Sequence, residues 1–385
     1  MSILKRRKLP AWRSTDRYYF KITGLLILSG LLSSCHVGRF FIYNFADVND
    51  YRKFPSLPVE NESTTFSFIE PSKEILPALP SGYADGTKYQ EFNTFLEDHK
   101  TTSFLIIRND SMLYEHYFDK RSPESINPSF SVAKSFVSAL VGIAISEGKI
   151  KNVNEPITTY LPGLTSPGFD KIRIEDLLNM RSGIDFSEKY RSPFGQMPRY
   201  YYGRNLQHYL KKLKIKEPPD LHYDYISVNA LLLSQILEKA TGKKLSEYLS
   251  EKIWQPIGME YPATMSVDSR KHQTIKAFCC LNARSRDFAK FGRLYLHNGN
   301  WQGKQIIPEN WVKRSTSILN DSHDARGSSY TYQWRVLKDG SFYAQGILGQ
   351  YIFVCPAKNI IIVRTGKNKA KVDWPGLFNT LSNKL

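Results

Sequence analysis

The stretch Pro128-Ser129-Phe130-Ser131-Val132-Ala133-Lys134-Ser135-Phe136 opens an apolar run that continues to Ile145. Its apolar residues recur at helical spacing, and Gly148 stands where such a helix would end. Ser131 and Lys134 are three residues apart, so on a helix they lie one turn from each other on the same face. The stretch therefore predicts a buried helix that carries a serine beside a lysine.

This pair has the chemistry of an activated nucleophile. A serine hydroxyl reacts poorly at neutral pH unless a base lies within hydrogen-bond reach, and a lysine amine in a dry, electropositive site can be that base. The alternative is a chance S-x-x-K match on a surface helix. Against it, a lysine inside an apolar helix is costly without a partner, and the turn Asn127–Phe130 would present Ser131 at the mouth of the helix. We interpret Ser131 as a candidate nucleophile and Lys134 as its base.

The composition of the 385-residue chain is that of a globular protein, with 41% hydrophobic and 23% charged residues. The net charge is +17, of which residues 1–34 contribute +6 through seven Lys and Arg residues against Asp16. The remaining surplus is dispersed, and no nucleic-acid-binding signature accompanies it. A face near a negatively charged membrane or cell wall explains this charge, and we expect no nucleic-acid partner.

The N-terminus has the pattern of an export signal. Seven basic residues lead into the apolar run Ile22–Leu32, whose eleven residues are too few for a transmembrane helix, which needs roughly 20. The run ends at Leu32-Ser33-Ser34-Cys35, which resembles the lipobox of bacterial lipoproteins. We predict a lipoprotein-type signal peptide over 1–34, lipidation of Cys35, and membrane anchoring outside the cytoplasm, in the periplasm or at the outer membrane. A short, uncleaved N-terminal anchor is the alternative.

The other cysteines are Cys279, Cys280 and Cys355. An adjacent pair plus one distant thiol has no metal-ligand spacing and makes no disulfide framework. We expect all three to be buried small hydrophobic residues. No metal or other cofactor is implied.

The remaining chain divides by composition and periodicity. Residues 35–85 are rich in Pro, Ser and aromatics and predict an extended N-terminal arm with one strand, Thr65–Ile69. In the domain over 86–385, a hairpin and helices come first and strands return last, which predicts an α+β fold with an antiparallel sheet flanked by helices and a mostly helical subdomain. The predicted late strands are Tyr330–Leu337, Phe342–Gln345, Gln350–Val354 and Ile360–Arg364.

A series of motifs, in order along the chain, resembles one family. They are Ser131-Val132-Ala133-Lys134, Leu177-Leu178-Asn179-Met180-Arg181-Ser182-Gly183, Tyr225-Ile226-Ser227-Val228-Asn229, Ile253-Trp254-Gln255-Pro256-Ile257-Gly258-Met259, Asn282-Ala283-Arg284-Ser285-Arg286-Asp287-Phe288-Ala289 and Gly349-Gln350-Tyr351-Ile352. Over about residues 90–370 the chain resembles the serine hydrolases related to class C β-lactamases. It is most similar to the branch of 6-aminohexanoate-dimer hydrolases and related esterases. The resemblance implies a β-lactamase/transpeptidase-like fold.

The resemblance also implies roles for three residues. Ser131 would be the acylated nucleophile, Lys134 would assist its deprotonation, and Tyr225 would share the proton. A nearby ammonium favours the ionised form of a phenol, so Tyr225 or Lys134 would take the serine proton and return one to the leaving group. Tyr223 is the competing choice, but the family pattern places an aromatic residue two positions before its catalytic tyrosine, which favours Tyr225.

Two positions depart from the family pattern. The second motif is often Tyr-x-Asn, and Ser227 stands at its third position, where it offers a hydroxyl in place of an amide. The third motif usually begins with Lys or His on a late strand, where this chain has Ala344-Gln345-Gly346. Arg364-Thr365-Gly366 looks like that motif but follows the next strand, and we interpret it as a coincidental match. A missing cation at Ala344 removes an obvious holder for a β-lactam carboxylate.

By the same alignment, the backbone N–H groups of Ser131 and Ile347 would form an oxyanion hole, in which loss of one donor typically costs about 3 kcal/mol. Gly346 and Ser227 would contact the substrate. Tyr190 resembles a substrate-side tyrosine of the amide-hydrolysing branch, with simple packing as its alternative role. It begins a tyrosine-rich stretch, 190–202, which we expect to be an irregular loop over a cleft.

These residues predict an extracytoplasmic serine hydrolase that cleaves a small ester, amide or peptide substrate through an acyl-enzyme on Ser131. A carboxylesterase or amide hydrolase is favoured over a weak β-lactamase or D-Ala-D-Ala peptidase because of Ala344. The alternative from another class is a non-catalytic lipoprotein that binds cell-wall peptide or a protein partner. Ser227 and the altered third motif favour that alternative, whereas the joint presence of Ser131, Lys134 and Tyr225 disfavours it.

Overall fold

A computed structural model of the protein describes residues 36–70, 75–80, 82–83 and 91–385. The predicted signal peptide over 1–34 and the predicted lipidation of Cys35 lie outside the described residues, and so does the predicted domain boundary near residue 86. These three assignments stay predictions. Among the described residues, no helix combines the length and the apolar character that crossing a membrane requires.

Antiparallel pairing organises the strands. The strands are β1 (Ser56–Val59), β2 (Thr101–Arg108), β3 (Ser111–Tyr117), β4 (Asn127–Pro128), β5 (Ala263–Ser266), β6 (Leu281–Ala283), β7 (Asn300–Trp301), β8 (Lys304–Gln305), β9 (Ser329–Thr331), β10 (Trp334–Val336), β11 (Phe342–Gln345), β12 (Tyr351–Cys355) and β13 (Ile360–Gly366). In the part of the chain that is described, a larger sheet has the order β3-β2-β13-β12-β11-β10-β9 and a smaller one the order β1-β5-β6-β4. Strands β7 and β8 form a separate hairpin.

Helices form much of the rest of the described chain. They are α1 (His36–Tyr43), α2 (Phe92–Asp98), α3 (Ala133–Ser146), α4 (Ile174–Leu178), α5 (Gln196–Tyr202), α6 (Leu206–Leu210), α7 (Val228–Thr241), α8 (Leu245–Leu249), α9 (Ser285–Leu296), α10 (Glu309–Ser315) and α11 (Trp374–Lys384). A 3-10 turn over Phe130–Val132 leads directly into α3, and Gly148 follows that helix with a φ of +68°, as expected for a helix end.

Successive side chains of the central strands point to opposite faces of the larger sheet. On one face, Phe353 joins an apolar cluster with Trp374 of α11 and with residues of α2. On the other face, α9 lies close to the sheet because Gly292 has no side chain. A Cβ at Gly292 would come within 2.9 Å of methyl carbons of both Ile352 and Ile361. The predicted α+β fold, with an antiparallel sheet flanked by helices, is therefore confirmed.

The helical layer carries the stretch that holds Ser131 and Lys134. Helix α3 is buried from Ala133 to Ala144 and packs against α7, which in turn contacts α4 and α8. Burial on every side explains why the apolar run has no polar stripe apart from Lys134 and small serines.

The described chain divides into two compact units, one of which contains residues 36–45 and 189–203 and the other residues 46–188 and 204–385. In the smaller unit, the ring of Phe40 on α1 meets that of Tyr202 on α5 edge to face at 5.7 Å. The expected irregular loop over 190–202 is wrong in part, since Gln196–Tyr202 is helical. Its tyrosines are buried, and Pro198 falls in the first turn, where a helix tolerates proline.

Two strand predictions are also wrong. The expected strand Tyr330–Leu337 is a tight hairpin, β9 and β10, because Tyr332 and Gln333 adopt φ angles of +43° and +69°. Positive φ at both turn residues suits a two-residue hairpin, but neither residue signals it as Asn-Gly would. The strand expected at Thr65–Ile69 is reduced to a single bridge at Ile69, and the arm instead contributes β1 and α1.

Candidate active site

The turn that carries Ser131 is held from outside its own helix. Strand β4 pairs with β6 just before the turn, and the Ser129 N–H donates to the Leu281 carbonyl at 2.8 Å. The Ser129 hydroxyl lies 3.1 Å from the Cys279 carbonyl, to which it donates. Phe130 adopts a φ of +44°, which is uncommon for an aromatic residue and persists only where surrounding contacts enforce it. These contacts fix the position from which Ser131 faces the site.

Lys134 is buried against the predicted nucleophile. Its side-chain nitrogen donates to Ser131 Oγ at 2.8 Å, to Ser227 Oγ at 3.1 Å and to the Phe278 carbonyl at 2.8 Å. Lys134 is 1% exposed, whereas Ser131 in the preceding 3-10 turn retains 9% exposure. The amine is therefore shielded from water while the hydroxyl stays reachable by a substrate.

The hydrogen-bond partners of Lys134 determine where the N–H groups and the lone pair of a neutral amine would point. The Phe278 carbonyl can only accept a hydrogen bond. Ser227 donates its hydroxyl proton to Glu188 Oε1 at 2.5 Å and its backbone N–H to Glu188 Oε2 at 2.8 Å. Ser227 Oγ consequently offers lone pairs to Lys134, and the two N–H groups of a neutral amine are both committed. The remaining lone pair then faces Ser131, which is the geometry of a general base.

Sequence reasoning missed two of these partners. Glu188 stands in Ser187-Glu188-Lys189-Tyr190, where the family resemblance points to Tyr190 alone. The Phe278 carbonyl is a backbone group, and no side-chain pattern signals it. The departure at Ser227 is explained by Glu188, because a serine whose proton goes to a carboxylate accepts from Lys134 much as an amide oxygen would.

Tyr225 lies beside Lys134, whereas Tyr223 does not reach it. The Lys134 side-chain nitrogen is 5.1 Å from the centre of the Tyr225 ring, and the Tyr225 hydroxyl makes no hydrogen bond to any described residue. The hydroxyl of Tyr223 is buried without a partner in the described part of the chain, and burial raises its pKa. The geometry therefore favours Tyr225, and its role in proton transfer stays a prediction. Catalytic hydrogen bonds often tighten only when substrate is bound.

The end of β11 lies against the turn that carries Ser131. A Cβ at Gly346 would be 2.7 Å from the Ser129 carbonyl oxygen and 3.0 Å from the Phe130 Cβ, so only glycine fits this approach. The next residue, Ile347, lies in the turn after β11, and its N–H makes no hydrogen bond to any residue that the structure describes. An unpaired backbone donor at this point suits the predicted oxyanion hole.

Arg364 belongs to β13 and is fully buried. Its guanidinium donates to the Gly349 carbonyl at 2.7 Å and to the His99 carbonyl at 2.9 Å, and it stacks on Trp374 at 3.7 Å. Burial lowers the pKa of Arg364 to about 9. The side chain thus fastens the turn that follows Ile347.

Cys279 and Cys280 are buried as predicted, but they are bonded to each other, and the expectation that the cysteines form no disulfide is therefore wrong for this pair. Their Cα atoms are 3.7 Å apart, as neighbours in a chain must be, and the bond closes no loop between distant segments. Cys355 is free and buried, as expected. The disulfide adjoins the site, because Phe278 immediately precedes it and Cys279 accepts from Ser129.

Tyr190 is the remaining predicted site residue. Tyr190 belongs to the smaller unit and is half-buried there, and its substrate-side role stays a prediction.

Comparison with known proteins gives the same family as the motifs. Residues 92–369 match the beta-lactamase family. The 6-aminohexanoate-dimer hydrolase of Paenarthrobacter ureafaciens is 26% identical over 327 residues, which span 78% of this chain and 80% of that protein.

Solved structures share the fold. A candidate 6-aminohexanoate-dimer hydrolase from Bacillus anthracis superposes with a TM-score of 0.78 at 24% identity, covering 88% of this chain and 92% of that one. A family VIII carboxylesterase superposes with a TM-score of 0.60 at 16% identity, covering 76% and 95% of the two chains. The chain therefore belongs to the beta-lactamase family, has its β-lactamase/transpeptidase-like fold, and is related to hydrolases.

Proposed function

We propose that the protein is a serine hydrolase that cleaves an ester or amide bond through an acyl-enzyme on Ser131. The observation that carries the proposal is the contact of 2.8 Å between Lys134 Nζ and Ser131 Oγ, with the other amine protons directed at acceptors. An amine held in this way removes the proton of the attacking hydroxyl. The Paenarthrobacter relative is named for hydrolysing a 6-aminohexanoate dimer, and this name supports testing amides alongside esters.

The catalytic cycle assigns one task to each group. Ser131 Oγ attacks the carbonyl carbon while Lys134 accepts its proton, and the N–H groups of Ser131 and Ile347 stabilise the negative oxygen. The proton then passes by way of Tyr225 to the departing alcohol or amine. In the second half, water enters on the side that the leaving group has vacated, and the same base activates it to release the acid.

The first test compares two serines of the same stretch. Ser131→Ala is expected to abolish hydrolysis of p-nitrophenyl acetate and of a linear amide. Ser138→Ala is the matched control, because its buried hydroxyl has no hydrogen-bond partner among the described residues. A burst of p-nitrophenol equal to the enzyme concentration would support the acyl-enzyme. Undiminished turnover by the Ser131→Ala protein would rule the proposal out.

Esters and linear amides rank above β-lactams in this proposal, because residue 344 is an alanine in β11. We expect turnover of a chromogenic cephalosporin to be far below that of simple esters. Comparable rates for the two substrate classes would reverse the ranking.

We further propose an extracytoplasmic location with lipid attached at Cys35. The support is the sequence pattern alone, a basic segment and an apolar run that end at a lipobox-like cysteine. Labelling of growing cells with an alkyne fatty acid should mark the wild type and spare Cys35→Ala. An unlabelled protein whose mass still includes residues 1–34 would favour the uncleaved anchor.

A further inference from the structure

A second cation lies beside Tyr225, and sequence reasoning did not foresee it. The central guanidinium carbon of Arg335 is 5.3 Å from the centre of the Tyr225 ring, close to the 5.1 Å of the Lys134 nitrogen. Arg335 belongs to β10, which pairs with β11 so that Arg335 stands opposite Tyr343. Strand β10, which neighbours the strand of Ala344, therefore places a positive charge beside Tyr225.

The guanidinium of Arg335 is only partly used by the protein. Its Nε donates to Asp324 Oδ2 at 2.8 Å, and the side chain is 12% exposed. The two terminal nitrogens, with four N–H groups, make no hydrogen bond to any described residue, yet neither is sealed from solvent. Such a pair of parallel donors matches the two oxygens of a carboxylate.

A third cation strengthens the positive charge. Lys369 is half-buried, and its amine makes no hydrogen bond to the described residues. Burial, together with the charges of Arg335 and Arg326, lowers the pKa of Lys369 to about 8. Arg326 has only a loose ion pair with Asp373, at 3.6 Å. Arg335 is thus paired with Asp324 and Arg326 with Asp373, whereas Lys369 has no ion pair among the described residues. A part-buried cation without such a partner is costly unless an anion joins it.

We propose that Arg335 forms a carboxylate-binding subsite beside Tyr225, to which Lys369 adds positive charge, and that the natural substrate carries a carboxylate on its leaving group. The leaving group is assigned because Tyr225 is the residue that would hand it a proton, so that group departs on the Tyr225 side. The assignment rests on the proposed serine hydrolase function.

The test compares the acetyl esters 4-acetoxybenzoate and methyl 4-acetoxybenzoate. Loss of the acetyl group releases a phenol that carries a carboxylate in the first ester and a neutral methyl ester in the second. The wild type should favour the charged ester by about tenfold or more in kcat/KM, the effect of one charged hydrogen-bonding group. Arg335→Gln should reduce this preference to about one, and Lys369→Gln should reduce it in part. Lys371→Gln removes the same charge from an exposed position nearby and should leave the preference unchanged.

Binding provides a readout that does not depend on turnover. Calorimetry on Ser131→Ala should show tighter binding of 4-acetoxybenzoate than of its methyl ester, and Arg335→Gln in that background should remove the difference. Equal kcat/KM for the two esters in the wild type would refute the subsite and leave the hydrolase proposal intact. A preference that survives in both Arg335→Gln and Lys369→Gln would also refute it. Tighter binding of the charged ester without hydrolysis by the wild type would support the subsite and refute the hydrolase function. If Arg335→Gln does not fold, Lys369→Gln, at a half-buried position, decides the question.

Discussion

Replacing Glu188 with glutamine is expected to slow acylation of Ser131, because the change reverses the hydrogen-bond polarity of Ser227. The Ser227 N–H can only donate, so the glutamine oxygen must accept from it and the glutamine NH2 then faces Ser227 Oγ. The hydroxyl must send its proton elsewhere. The Lys134 amine, 3.1 Å away, is the available acceptor, and its lone pair would then be shared between Ser227 and Ser131.

The magnitude follows from the bond that is reversed. A hydrogen bond to a charged group contributes about 1.5–3 kcal/mol. Each 1.36 kcal/mol of barrier changes a rate tenfold. We therefore expect acylation by Glu188→Gln to be roughly 10- to 150-fold slower than in the wild type.

Stopped-flow measurement of the p-nitrophenol burst gives the acylation rate directly. Ser227→Ala is the matched background, since it has no hydroxyl whose polarity can be reversed. Adding Glu188→Gln to Ser227→Ala should change the rate by less than about twofold, and the double-mutant cycle then isolates the coupling. A wild-type rate in Glu188→Gln, or an equal loss in both backgrounds, would refute the reasoning.

Three further predictions test other parts of the structure. Gly346→Ala should slow labelling by a fluorophosphonate about tenfold or more, since its Cβ would lie 2.7 Å from the Ser129 carbonyl oxygen, next to the turn that carries Ser131. Gly163→Ala, where a Cβ meets nothing within 4 Å, is the control and should label normally. Burial raises the pKa of Asp287 from 3.8 to about 6, so its contribution to stability is present below about pH 4 and lost as pH rises through 6. The unfolding free energy of the wild type relative to Asp287→Asn should therefore fall by about 2–3 kcal/mol between pH 4 and pH 7 in urea titrations, and a constant difference would contradict this. Reduction of the Cys279–Cys280 bond should lower activity about fivefold, which is the effect of one ordinary hydrogen bond, because this segment adjoins the Phe278 carbonyl that accepts from Lys134. A protein with serine at both positions should show no response to the reductant.

The fold could be predicted where local pattern and long-range packing agree. Strand Phe342–Gln345 has the predicted bounds, because its alternating side chains serve both faces of the sheet. The hairpin at Tyr332 and Gln333 could not be predicted, because neighbouring structure enforces its positive φ angles. Gln333, for example, donates through its side chain to the Leu177 and Leu178 carbonyls. The backbone there follows tertiary contacts, which single-residue preferences do not contain.

The candidate site, like the fold, could be predicted from the sequence only in part. The contact between Ser131 and Lys134 follows from a spacing of three residues and could be predicted from the chain alone. Glu188, Phe278 and Arg335 come from distant segments, so only the folded chain brings them to the site. Arg335 did leave a signal, a charge between the apolar neighbours Trp334 and Val336 in a predicted strand.

Arg335 also changes the conclusion drawn from Ala344. The third-motif position, Ala344, shows that strand β11 lacks a cation there. The motif does not extend to the adjacent strand β10. The structure places the guanidinium of Arg335 there, beside Tyr225. Substrates that carry a carboxylate therefore belong among those to be tested first.

Intact-mass spectrometry after treatment with a fluorophosphonate probe is the most direct test of the central claim that Lys134 activates Ser131. We predict one adduct per chain, mapped to Ser131 by peptide sequencing, and its loss in Lys134→Ala. No adduct in the folded wild type, or an adduct that persists on Ser131 at the same rate without Lys134, would contradict the account.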